Sequence, residues 1–406
     1  MSVFERLVDH LTAALVKPEV EAFSRGLSLR VRFTVGDQAH DVIIGTLPAD
    51  SNTASEIGIT ASADDWALVL AEPAPPTYHS FSSIQLRNSR FTITGDPLAI
   101  AQARACFEAI FANLTSYHGA ESPFADLSRL TGSYHSITSA AGRTAQIYSE
   151  EAGAGTPVLC LHTAGADTRQ FHGVMCDPAL GDDWRLIGFD MPFHGRSMPP
   201  AGWSGEAYLL DQQTYLDWCV SFIEQVVREP VVVMGCSMGA GIAMVLAAER
   251  PDLVRAVIAL EAPLRPRGRR NGYLTHAKVN GGWHSAAYVR GLLGPRSPAE
   301  LRRRAAYIYS QGAPGIYDGD LAFYSDEFDG ERIAKQIDGK TIPVSLLIGH
   351  YDFSATVDDA YQLAGWIEHA RVIEMPELGH FPMTENPAEM LRYLRPVFAS
   401  LKRSVG

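Results

Sequence analysis

Residues 231–250 restrict this chain more than any other stretch. Val231-Val-Val-Met234 is an apolar run of the kind that makes a buried strand, Gly235-Cys-Ser237-Met-Gly239 follows without a spacer, and an apolar helical pattern runs on to Arg250. A strand that turns into a helix through five residues has room for only one geometry. The two glycines permit the tight turn, and Ser237 is held at its apex at a strained backbone angle with its hydroxyl above the sheet. The helix that starts behind it points its positive dipole end at whatever anion forms there.

The remaining apolar runs supply the sheet. Pro157–Leu161, Arg185–Phe189, Pro230–Met234, Ala256–Leu260, Pro343–Ile348 and Arg371–Met375 are near-continuous apolar segments separated by helical patterns. Parallel strands covered on both faces have that composition. Ser133–Ile137 and Thr144–Ser149 read as an opening hairpin. Residues 262–340 are too many for one crossover helix and read as an inserted cap. That cap carries Tyr273, Trp283, Tyr288, Tyr307, Tyr309, Tyr317, Phe323, Tyr324 and Phe328, which can pack the cap on itself or line an apolar pocket.

A chain of 406 residues exceeds one ordinary domain. Residues 1–118 have a different texture: strand-like runs at Leu27–Thr34 and Asp41–Thr46 around the Gly36-Asp37 turn, a helix over Ala63–Leu70 opened by Ser62, a strand at Arg90–Thr94, and a helix from Pro97 to Leu114 capped by Asp96. This is an α+β accessory domain, joined by a polar connection over 119–132 to a catalytic domain made of 133–261 and 341–406. We expect the accessory domain to pack on the catalytic domain or on a second copy in a homodimer.

Composition narrows the partners. Lys+Arg total 34 against Asp+Glu 46, a formal charge of −12, so phosphate backbones are repelled and no nucleic-acid partner is expected. Five cysteines are scattered without a C-x-x-C pair, which suits a reducing compartment. The first residues have no apolar core of a secretory signal, and no apolar run approaches a membrane span. The expectation is a cytoplasmic protein without a membrane partner. With no H-E-x-x-H, no Cys/His cluster and no G-x-G-x-x-G after a strand, neither a metal nor another cofactor is expected.

A serine hydroxyl needs a base. Of 13 histidines, His380 in Leu378-Gly-His-Phe-Pro382 follows the last strand, in a loop at the carboxyl ends of the strands and beside Ser237. The carboxylate that orients it has two candidates. Asp352 follows the penultimate strand in Gly349-His-Tyr-Asp, and Glu261 ends the strand after the serine's helix. An oxyanion requires two backbone N–H groups: one from Met238, the other from the loop Leu161-His-Thr-Ala-Gly165, with Ala164 as the expected donor. Asp190 and His194, in the loop after the next strand, read as structural. The run Arg265-Pro-Arg-Gly-Arg-Arg270 reads either as a solvated loop or as a clamp for a substrate carboxylate.

With these motifs in hand, residues 132–400 resemble an α/β-hydrolase with a cap, the fold being a mostly parallel sheet with flanking helices and the cap inserted. Within that superfamily the chain is most similar to serine carboxylesterases and the related carbon–carbon bond hydrolases. Thr163 departs from the His-Gly usual in the oxyanion loop. Haloalkane dehalogenases and epoxide hydrolases carry aspartate where this chain has Ser237. The chain also resembles bacterial esterases that de-esterify sulfonylurea herbicides, in which a glutamate after the sixth strand is the acid, and that likeness keeps Glu261 beside Asp352. The order of elements in residues 1–118 resembles the sterol-carrier-like lipid-binding fold. The resemblance implies hydrolysis of a small, largely apolar carboxylic ester through an acyl-enzyme. Two alternatives stay open: carbon–carbon hydrolysis of a diketone-like substrate by the same residues, or a binder on a hydrolase scaffold.

Overall fold

The computed structural model describes residues 1–46, 55–115 and 124–405; part of the connection read over 119–132 lies outside these. Among the described residues the strands form two sheets. The smaller contains β1 (Ser28–Val35), β2 (Gln38–Gly45), β3 (Ser55–Ala61) and β4 (Thr92–Gly95) in the order β2-β1-β3-β4. β1 runs parallel to β3, and the outer pairs are antiparallel. Alternation along β1 sends Leu29, Val31, Phe33 and Val35 to one face. There they meet the Val3–Leu15 helix, whose inward residues Leu7, Leu11 and Ala14 recur at helical spacing, and Trp66. β4 starts two residues later than expected because Asn88 Oδ1 accepts the Arg90 N–H at 3.1 Å, holding that segment in a turn.

The larger sheet has the order β12-β11-β10-β9-β7-β8-β6-β5. It comprises β5 (Thr131–Thr138), β6 (Thr144–Ala152), β7 (Thr156–Leu161), β8 (Trp184–Phe189), β9 (Val231–Cys236), β10 (Val254–Leu260), β11 (Val344–Gly349) and β12 (Arg371–Met375). β5 and β6 pair antiparallel at one edge, and β7 to β12 are parallel to their neighbours within that set. Every residue of β9 and β11 is buried, as the continuous apolar runs require. Two core clusters lie on the two faces of this sheet.

Between β10 and β11 the chain forms helices at Gly281–Gly291, Ala299–Ser310, Ile316–Leu321 and Gly330–Ala334. The N-terminal body packs on the first of these through the Pro97–Ala112 helix. That helix is buried on nearly every side, with one flank on its own sheet's core and the other against Gly281–Gly291. His284 Nδ1 bonds the Ala101 carbonyl at 3.0 Å, and Ser80 Oγ donates to the Gly291 carbonyl at 2.8 Å. No helix among the described residues is long and apolar enough to cross a membrane.

Candidate active site

β9 delivers Ser237 to the carboxyl end of the sheet, and the Met238–Glu249 helix leaves immediately after it. Ser237 has φ 55° and ψ −114°, a conformation that costs a non-glycine residue about 1–3 kcal/mol. The flanking glycines make it attainable. A Cβ on Gly235 would lie 2.1 Å from the Gly239 carbonyl oxygen, and one on Gly239 would lie 2.2 Å from the Leu161 carbonyl oxygen. The second close approach presses the start of the helix against the loop after β7. Ser237 is only 3% exposed.

His380 lies in the loop after β12, with Nε2 2.8 Å from Ser237 Oγ and Nδ1 2.5 Å from Asp352 Oδ2. The other Asp352 oxygen accepts the Ser354 N–H at 2.6 Å. The structure therefore gives the imidazole to Asp352 rather than to Glu261. Glu261, at φ 50° at the end of β10 and fully buried, accepts the Gly349 N–H on both oxygens at 2.9 and 3.1 Å. Burial first, and the neighbouring Asp352 carboxylate second, push its carboxyl well above the usual range. Burial beside Asp352 therefore favours the neutral form of Glu261. Glu261 is thus the group behind the acid. Donor atoms of Glu261, Asp352 and His380 lie within 4.8 Å of one another, but they are committed to each other, a wiring suited to moving a proton rather than holding a cation.

In the loop after β7 the N–H groups divide. Thr163, the departure from glycine, gives its N–H to Gln170 Oε1 at 3.0 Å and its hydroxyl to a contact with Tyr309. The Gly165 N–H goes to Asp320 Oδ2 at 2.7 Å. Between them, the Ala164 N–H has no acceptor among the described residues. Met238, at the first position of its helix, has no intrahelical acceptor for its N–H either.

Two groups that hold this site were not found in the sequence. Asp320, fully buried, also bonds His194 Nε2 at 2.8 Å and the Tyr208 hydroxyl at 2.8 Å. Since His194 Nδ1 faces the Pro192 carbonyl at 2.9 Å, both ring nitrogens meet acceptors and both carry protons. Burial opposes that charge, but Asp320 overrides it and holds His194 above its usual value. Glu385 accepts the Gly379 and Phe381 N–H groups at 3.0 and 3.2 Å on one oxygen, and the Gly294 N–H and Ser297 hydroxyl at 2.6 and 2.8 Å on the other. It brackets His380 and straps its loop to the insertion. Burial raises its carboxyl to about 7. Neither residue sits in a local motif; each acts on segments distant in the chain.

The insertion's aromatic residues divide as well. Phe323 and Phe328 join the sheet's core and Tyr307 faces solvent, whereas Tyr309, Tyr317 and Tyr324 turn to the site. The Tyr324 hydroxyl lies 3.4 Å from Ser354 Oγ, and burial raises it to about 12. Tyr309 and Tyr317 also line a cleft of about 490 Å³ that opens between the insertion helices.

A serine raised on a strained turn between strand and helix, with a histidine and an acid following it in the chain, matches one family. The family model described as "alpha/beta hydrolase fold" matches residues 156–387, and the chain belongs to that family. It is 24% identical over 250 residues to the (E)-2-((N-methylformamido)methylene)succinate hydrolase of Acinetobacter baylyi, a match covering 59% of this chain and 88% of that protein. Among solved structures, a thermophilic esterase from Thermogutta terrifontis superposes with a TM-score of 0.58 at 19% identity, over 66% of this chain and 99% of the esterase. The enol-lactonase from Burkholderia xenovorans gives 0.55 at 16% identity, over 67% of this chain and all of that one. The N-terminal body lies outside the matched range.

Proposed function

We propose that the protein is a carboxylic ester hydrolase acting through an acyl-enzyme on Ser237. The observation that carries this reading is the continuous bonding of Ser237, His380 and Asp352 beside two N–H groups without acceptors. His380 Nε2 takes the Ser237 proton as Oγ attacks the ester carbonyl, and Asp352 holds the imidazolium that forms. The carbonyl oxygen becomes an oxyanion that accepts from the Met238 and Ala164 N–H groups. His380 then returns the proton to the leaving alcohol, and a water activated by the same nitrogen releases the acid. The Acinetobacter relative is named for hydrolysis of a substituted succinate, a small molecule on the scale of the cleft here.

The test is fluorophosphonate labelling together with a panel of p-nitrophenyl esters and β-diketones. Wild type should label and turn over esters, and Ser237→Ala should abolish both while leaving the circular dichroism spectrum unchanged. Absence of labelling would refute the serine mechanism. Turnover of diketones in preference to esters would replace it with carbon–carbon cleavage.

A further inference from the structure

The arginine run in the insertion does not behave as one unit. Arg265 pairs with Asp329 and Glu331 at 3.4 and 3.0 Å, and Arg270 with Asp318 and Asp326 at 3.1 Å each, while Arg267 is exposed. Arg269 differs. Its backbone is fixed by a bond from its N–H to Ser325 Oγ at 3.2 Å, and its guanidinium turns toward the site. There Nη1 donates to Ser354 Oγ and Nη2 to the Tyr317 hydroxyl at 3.2 Å. Among the described residues no carboxylate lies within ion-pair distance of it. The nearby Asp352 already has one oxygen on His380 and the other on the Ser354 N–H.

The path from this cation to the serine is short. Ser354 Oγ lies 3.4 Å from the Tyr324 hydroxyl, and the Ser354 N–H is held by Asp352, whose other oxygen meets His380 beside Ser237. A guanidinium stays charged in any protein environment, and the half-buried Arg269 bonds only neutral hydroxyls, so an anion at its fork would gain a charge-assisted pair. Four carboxylates of the insertion pair with Arg265 and Arg270 and none pairs with Arg269, whose nearby carboxylate charge, Asp352, is engaged with His380 and Ser354. The planar fork of Arg269 matches a carboxylate through two parallel bonds, and the Tyr317 and Ser354 hydroxyls it now holds can donate to the same anion.

We propose that Arg269 receives a carboxylate on the substrate, so that the favoured substrates are small esters bearing a free acid group on the acyl side. This deepens the ester-hydrolase reading and rests on it. The acid end docks at Arg269, and the scissile carbonyl is carried past Tyr324 to Ser237. A wholly apolar acyl chain leaves the guanidinium unpaired in the closed site and is disfavoured for that reason.

Two p-nitrophenyl esters of equal acyl length separate the possibilities: the mono-ester of glutarate, which ends in a carboxylate, and the valerate, which ends in a methyl. Wild type should favour the glutarate ester in kcat/KM by about tenfold or more, the scale of a charge-assisted pair. Arg269→Gln should reduce that preference by roughly 10- to 100-fold, chiefly through KM, and Arg269→Lys should restore part of it. A ratio near one in wild type, or a ratio that Arg269→Gln leaves unaltered, overturns the proposal. A second measurement needs no variant. Free glutarate should slow fluorophosphonate labelling of wild type and valeramide should not; equal protection by the two also overturns it. Labelling that proceeds without any carboxylate preference defeats only the Arg269 assignment, whereas absence of labelling defeats the serine mechanism and this proposal with it.

Discussion

Replacing Asp352 by asparagine tests which carboxylate works on the histidine. Asp352 Oδ2 lies 2.5 Å from His380 Nδ1, so the wild-type imidazole keeps its proton on Nδ1 and presents a bare Nε2 to Ser237 Oγ, 2.8 Å away. The asparagine amide can offer an N–H at the same place. The imidazole proton then moves to Nε2, where it blocks acceptance of the serine proton. The loss worked out for this tautomer error in serine hydrolysis is about 10⁴-fold in turnover, or about 5 kcal/mol at 1.36 kcal/mol per decade. Glu261→Gln is the matched control. Its carbonyl oxygen still accepts the Gly349 N–H, and a neutral amide of the same shape stands in for a carboxyl whose burial favours the neutral form, so the expected cost is about 1 kcal/mol, less than tenfold. The assay is kcat/KM on p-nitrophenyl acetate, with thermal melts to establish that both variants fold. If Glu261→Gln proved the more damaging, the working acid would lie at the end of β10 and the reasoning above would be wrong.

Two further substitutions probe the groups that hold the site. Glu385 titrates in the fold at about 7, above its usual value of 4.5, so the native state binds the extra proton between those values. Its contribution to stability is therefore complete below about 4.5 and lost as the pH rises through 7. Glu385→Gln should be less stable at pH 5, because one oxygen cannot serve both pairs of donors, and urea midpoints compared at pH 5 and 7.5 should show a shallower decline than wild type. Asp320→Asn strips the anion from a buried pair and should cost about 3 kcal/mol by thermal unfolding. With His194 held above its usual value, that loss should be largest in acid and shrink as the pH rises past the point where wild-type His194 gives up its proton; a pH-independent loss would contradict the pairing.

What could be read along the chain was whatever local order determines. Ser237 was visible because two glycines, a strand and a helix specify one turn, and His380 because its distance beyond the last strand places its loop. The parallel strands were visible in their unbroken apolar runs, since burial on both faces leaves no alternation. Asp352 and Glu261 could not be separated, because both follow neighbouring strands and their difference lies in which one the His380 loop reaches. Glu385 carries no local motif; it acts partly on Gly294 and Ser297, about ninety positions earlier in the chain. The arginine run was conspicuous, but which member turns inward depends on Asp318, Asp326, Asp329 and Glu331 claiming Arg265 and Arg270, and that pairing is set by the folded insertion.

The seating of the N-terminal body has a mechanical consequence. It grips the insertion at Gly291 through Ser80 and His79, and a few residues away it meets the loop that carries the acid: the Tyr351 hydroxyl donates to the Ala74 carbonyl at 3.2 Å, and the His79 ring stands edge-on to Tyr351. One body therefore ties the insertion to the loop after β11, like a strut. Parting the insertion from that loop means either breaking those bonds or swinging more than a hundred residues as ballast, a larger and slower motion than the flapping of a single helix.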